Sequence, residues 1–195
     1  RSKGSGQFEM SREYAFVTSS NDKFLETSEY VPNTKSYRVV WRELAVEERA
    51  GFDLDLIIEE KLRAAFRMSR ARVFVDHTSL AIAALRGIPG PQSSYFWTRV
   101  GPDVCGICSK LGDMKAAVTV AMAYTDGQEI FKTTKTIEGR IANSAVSAGR
   151  NFSWDQVFIA DGSTSTFSQL SIDEKNQFSP RAQALNDLME LWDRE

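Results

Sequence analysis

The order of strand-like and helix-like segments predicts an α/β protein whose sheet has antiparallel parts. Short apolar runs such as Tyr14–Thr18 and Arg72–Asp76 read as buried strands, and residues 53–69 carry a strong helical period. Two strand-like segments, 116–125 and 129–138, flank the turn Asp126-Gly127-Gln128 and read as a hairpin. Strands and helices do not alternate strictly, which argues against a purely parallel sheet.

Taken in order, Tyr14–Thr18 is the first strand. The polar turn Ser19-Ser20-Asn21-Asp22 follows, then a short helix to about Tyr30 that Pro32 stops. Residues 36–41 alternate as a second strand, and 72–76 form the third, ending where His77 would open a loop. Gly87–Pro91 is a loop, and residues 93–110 read as helix broken near Gly101-Pro102. After the hairpin come a Gly/Ser/Asn-rich loop over 143–151, a strand-like aromatic segment over 152–159 and a last helix over 180–194.

The 195 residues suit one domain or two lobes sharing a core. The start, RSKGSGQFEM, reads as an expression-tag remnant ahead of Met10, so a single domain is expected over 10–195. With 24 basic and 26 acidic residues and no long run of like charge, nucleic-acid and membrane-surface binding are not expected. No apolar segment approaches the ~18 residues that span a bilayer. Cys105 and Cys108 form a C-x-x-C without a second pair, and the chain's single histidine cannot complete a zinc site. On a helix these cysteines share a face and pack inward, which fits a reducing cytoplasm.

On a helical wheel Leu54, Ile57, Ile58, Ala64, Ala65 and Met68 form an apolar stripe. Lys61 falls in its middle. A lysine there either snorkels out along the helix or meets an anion inside a cleft. The turn after Thr18 places backbone N–H groups at a helix N-terminus, a ready anion site, and Lys23 lies one turn in. In Ser179-Pro180-Arg181, serine suits the N-cap and proline the first helical position. Arg181 opposes the helix dipole there, so an anionic partner is expected. In FSWDQVFIADG, Phe152 and Trp154 share a strand face beside Asp155. They are either ordinary core or a slot in which a flat base stacks while Asp155 reads its edge.

Together these segments resemble the inosine triphosphate pyrophosphatase family across most of residues 12–192. FVTSSNDKFLE resembles its T-G-N-x-x-K turn, and FVDHTSLAIAALRGIPGP its central acidic motif with A-L-x-G-x-P-G. GRIANSAVSAGRNFSWDQVFIADG is similar to its F-G-[WY]-D-P segment, and EKNQFSPRAQAL to its E-K-N-x-x-S-H-R ending. The resemblance implies a two-lobed α/β fold with a long mixed central sheet and a nucleotide cleft, usually in a homodimer. It also implies Mg²⁺-dependent cleavage of deaminated purine triphosphates such as ITP and dITP between the α- and β-phosphates.

By position, the turn Thr18-Ser19-Ser20 with Lys23, Lys61, Lys175, Ser179 and Arg181 falls on nucleotide-binding positions. Phe152, Trp154 and Asp155 fall on the base pocket, and Glu48 and Asp76 on the metal site. The departures concern the chemistry. His77 stands where the family's second, water-activating acid would be, and Pro180 stands in the S-H-R histidine position. The T-G-N glycine is Ser19, and F-G-W-D-P has become Phe152-Ser153-Trp154-Asp155-Gln156. Mg²⁺ prefers oxygen ligands, and a lost general base costs ~10²–10⁴-fold in rate. Binding is therefore expected to outlast catalysis. The expected function is an ITP/dITP sensor that gates a separate effector chain, as in bacterial anti-phage signalling. The alternative is an active pyrophosphatase with His77 as base.

Overall fold

The computed structural model describes residues 11–32, 36–46, 50–148 and 153–194. The expected site residues Glu48 and Phe152, and the segment read as a tag, lie outside the described residues.

A seven-stranded mixed sheet runs through the protein in the order β2-β1-β3-β5-β6-β7, with the short β4 paired to β3. Its parallel half is β1 (Arg12–Val17), β2 (Tyr37–Arg42) and β3 (Val73–Ile82). Helices α1 (Asn21–Tyr30) and α2 (Leu54–Ser69) make the crossovers that parallel pairing requires. Its antiparallel half is β4 (Pro89–Gly90), β5 (Lys115–Thr125), β6 (Ile130–Ile141) and β7 (Phe158–Ala160). The remaining helices are α3 (Ser93–Val100), α4 (Val104–Leu111), α5 (Ile172–Asn176) and α6 (Pro180–Trp192).

Alternation along the strands sends side chains to opposite faces. On one face Phe74 and Met122 pack under Leu185, Leu188 and Trp192 of α6. On the other, Val75 and Ala121 meet Ile58, Leu62 and Ala65 of α2. Farther along β3, Leu80 and Ile82 join a second lobe with Val104, Cys105 and Cys108 of α4. Both cysteines are buried and unbonded, as the helical spacing predicts. Among the described residues no helix is long and apolar enough to cross a membrane.

The sequence expectation ended the third strand at Asp76, but β3 continues to Ile82. Its whole length pairs with β5, from Val73 opposite Thr125 to Ile82 opposite Ala116. Backbone pairing with a long neighbour overrides the local loop signal of His-Thr-Ser, so His77 sits mid-strand and not at a loop mouth. The expected strand over 152–159 is also shorter. Ser153–Gln156 form a 3-10 turn, closed by Val157 N–H donating to the Trp154 carbonyl, and only residues 158–160 join the sheet. On α2 the buried stripe centres on Leu62, which leaves Met68 exposed in the last turn.

The join of β6 to β7 depends on Gly139. A Cβ there would fall 2.3 Å from the Ile159 carbonyl oxygen and 2.7 Å from the Phe158 ring. Gly139→Ala should therefore destabilise by about 1–3 kcal/mol in a urea unfolding titration. Gly106→Ala, in α4 with nothing within 4 Å of the new methyl, should stabilise by about 0.5–1 kcal/mol. Equal midpoints for the two variants would contradict this account.

Candidate functional site

The first wall of the site is the turn between β1 and α1. Ser20 caps α1, its Oγ accepting from Lys23 N–H, while Ser20 N–H donates to Thr18 Oγ1 at 3.1 Å. Ser19 has no positive φ, so the turn needs no glycine and a serine is accommodated where glycine was expected.

Beneath this turn lies Asp76 on β3, fully buried. A buried carboxylate must be paired or neutralised. Here Lys23 Nζ donates to Oδ1 at 3.1 Å, and the Arg181 guanidinium donates to Oδ2. Burial alone would raise the Asp76 pKa. Arg181, Lys23 and Lys61 outweigh it and hold the carboxyl well below the usual carboxylate range. Lys61 is 7% exposed and its Nζ donates to the Asp76 backbone carbonyl at 3.0 Å. It points inward among buried groups, so the snorkelling alternative is overturned. Arg181 has the anionic partners that its place against the dipole demanded, and both are protein carboxylates: Asp76 and Glu26.

The base side continues the same chain of charges. Lys175 sits between Glu26 and Asp155 and pairs with both. Burial drives the Asp155 carboxyl up, Lys175 pulls it down, Glu26 pushes it up again, and it titrates at about 6. Asp155 and Trp154 occupy the 3-10 turn, and Trp154 packs edge-on to Phe158 with ring centres 6.1 Å apart. The structure thus brings Trp154 and Asp155, on a turn and not on the expected strand face, together with Lys175 of α5.

His77 Nε2 lies 2.9 Å from the Pro91 carbonyl. Only a ring N–H can donate to a carbonyl, so this nitrogen carries the proton and ties β3 to the start of α3. Ser93 Oγ, donating to the Thr78 carbonyl at 3.1 Å, makes a second tie. Pro180 is buried at the first helical position of α6, behind the Ser179 cap.

These groups surround one cleft of about 610 Å³. Thr18, Ser19, Ser20, Lys23, Lys61 and His77 line it from one side, and Trp154, Asp155, Lys175, Ser179 and Arg181 from the other. Asp76 lies under its floor and does not line it. Two residues that sequence reasoning missed belong here. Glu26 bridges Lys175 and Arg181; its only sequence signal is its place one turn after Lys23 on α1. Thr78 Oγ1 is buried without a hydrogen-bond partner among the described residues, although Thr78 lines the cleft. The missed helix α5, which carries Lys175, was signalled by the capping box of Ser171 and Glu174.

Among the described residues no group of three His, Cys, Asp or Glu is placed to hold a metal ion. Asp76, expected as a metal ligand, has both oxygens engaged by cations. A hard divalent ion would compete with those cations for its oxygens, and Glu48, the other expected ligand, lies outside the described residues.

The chain belongs to the Ham1 family, which matches residues 14–191. It is 27% identical over 178 residues to a dITP/XTP pyrophosphatase from Saccharolobus solfataricus, covering 90% of this chain and 91% of that protein. It is 33% identical over 134 residues to inosine triphosphate pyrophosphatase 1 from Trypanosoma cruzi, covering 66% and 67%. The structure of a HAM1 protein from Coxiella burnetii shares the fold at a TM-score of 0.76 and 22% identity, covering 94% of this chain and all of that one.

The Asp155 carboxyl predicts a pH dependence. An unfolded aspartate titrates near 4. Between about pH 4 and 6 the unfolded chain has released this proton while the folded protein keeps it, so its contribution to stability falls as pH rises. Asp76 acts in the opposite sense: its contribution is present above the ordinary carboxylate range and is lost as pH falls below that range toward the lower folded-state value. Asp155→Asn should therefore gain on wild type in unfolding midpoint as pH rises from about 4 to 6. A constant gap across that window would remove Asp155 from the account.

Proposed function

We propose that this protein binds deaminated purine nucleoside triphosphates, ITP or dITP, in the cleft and hydrolyses them slowly or not at all. The observation that carries this reading is the state of the central acidic position. Asp76 is committed to Lys23 and Arg181, and its neighbour is a histidine whose Nε2 proton is committed to the Pro91 carbonyl. Cations that suit phosphate remain, while among the described residues the carboxylates that line the cleft, Glu26 and Asp155, are each paired with a cation and so are poorly placed to activate water. Mg²⁺ belongs to this reading as a counter-ion carried in by the phosphates, since the described protein groups offer it no ready site.

A receptor that does not consume its ligand can pass differential affinity to a partner. A homodimer and a separate effector chain, as in bacterial anti-phage signalling, complete the reading. Exposed Phe52, Ile88 and Tyr95, near β4 and the start of α3, offer apolar surface for such contacts. The second reading is an active (d)ITP/XTP pyrophosphatase, favoured by the activity that gives the Saccharolobus relative its name. Incubating the protein with dITP and Mg²⁺, while measuring binding heat and pyrophosphate release, separates the two. Tight binding without turnover selects the receptor, and repeated turnover the enzyme.

Lys61→Ala should weaken dITP binding about tenfold or more, because a charge-assisted contact is worth ~1.5–3 kcal/mol, and should leave deoxyinosine binding unchanged. Equal dITP affinity in variant and parent would return Lys61 to a purely structural role. ITP should also outcompete ATP and GTP, because polar groups at Asp155 and Lys175 read the base edge while stacking accepts any purine. ATP displacing ITP at equal concentration would sink that expectation.

His77→Asp should raise pyrophosphate release from a near-zero baseline by restoring an acidic pair. Recovery should be partial, because the variant also gives up the donor to Pro91 and Pro180 supplies no histidine. Brisk wild-type turnover that His77→Ala abolishes would make His77 a working base.

A further inference from the structure

Trp41 lies on β2, outside the residues that line the cleft, yet it grips the turn that forms the first wall. Its indole Nε1–H donates to the Thr18 carbonyl at 2.8 Å. A trans peptide is planar and carries its C=O and the following N–H on opposite sides. Holding the Thr18 oxygen toward Trp41 therefore turns the Ser19 N–H away from Trp41. Thr18 and Ser19 line the cleft and Trp41 does not.

Among the turn residues that line the cleft the other backbone donors are engaged, Thr18 N–H by the Arg42 carbonyl at 3.4 Å. Ser20 N–H is bonded to Thr18 Oγ1, and Lys23 N–H to Ser20 Oγ. The Ser19 amide thus matters more than one amide usually would. The same indole stacks on Phe24, ring centres 5.5 Å apart and planes 13° apart. Phe24 follows Lys23 on α1, so one side chain sets the aim of a backbone donor and braces the helix that carries a cleft cation.

We infer that Trp41 is a positioning residue for the triphosphate, aiming the Ser19 amide at a phosphate oxygen and seating Lys23 beside it. The inference rests on the nucleotide reading above. It assigns no chemistry to Trp41, which touches no ligand itself.

Trp41→Phe keeps a ring face to stack on Phe24 and loses the donor. Calorimetric titrations with inorganic tripolyphosphate and with deoxyinosine, on wild type and variant, test it. Tripolyphosphate affinity should fall about 3- to 10-fold, the scale of one neutral hydrogen bond, while deoxyinosine affinity stays unchanged. Amide exchange at Ser19 in the wild type gives a second measurement that needs no variant. Tripolyphosphate should slow it. Unchanged tripolyphosphate affinity, equal losses for both probes, or a Ser19 exchange rate indifferent to tripolyphosphate would each overturn the role of Trp41. A wild type that binds neither dITP nor tripolyphosphate would instead bring down the nucleotide reading itself.

Discussion

The cleft is organised by one buried carboxylate. Asp76 sits at the middle of the sheet with no access to water, and an unpaired charge there would cost several kcal/mol. Meeting that requirement fixes the placement of three helices. Lys23 comes from α1, Lys61 from α2 and Arg181 from α6, and each reaches Asp76 through its side chain or its carbonyl. Elements far apart in sequence are thereby drawn to one point on β3, and the cations they carry end at the cleft wall.

This pairing also shapes what the cleft can do. Lys23 and Arg181 are held in place before any ligand arrives, which lowers the ordering cost of binding. They are not idle charges, because any anion that entered the cleft would share them with Asp76 and Glu26. The chain continues through Glu26 and Lys175 to Asp155, so groups from both ends of the sequence are joined across the cleft by adjacent ion pairs. Removing one member strips a partner from each of its neighbours, and effects at these positions should not add.

Much of this was legible in the sequence where one residue broke a pattern. Lys61 interrupted an apolar stripe, and Arg181 opposed a helix dipole; each pointed to a buried anion. What the sequence suggested less well was the anion's identity, because Asp76 and Glu26 meet Arg181 only through tertiary packing. Glu26 looks like any polar residue of a short helix. His77 misled because His-Thr-Ser has the local character of a loop, while pairing with the long β5 keeps it in a strand. Trp41 carried no signal, since its partner is a backbone carbonyl and not a side chain. Capping residues were informative and under-used: Ser171 and Glu174 mark α5 without any knowledge of the fold.

The difference in exposure between the cleft lysines has a chemical consequence. Lys61 and Lys175 are buried, whereas the side chain of Lys23 keeps 23% of its surface open. Burial lowers the pKa of Lys23, and the nearby Asp76 only partly offsets it. An acylating reagent reaches an amine that solvent can reach and not one that is buried. Acylating reagents should therefore find Lys23 at the mouth of the cleft before they find its buried neighbours, so that a ligand seated there would register as protection of a single side chain.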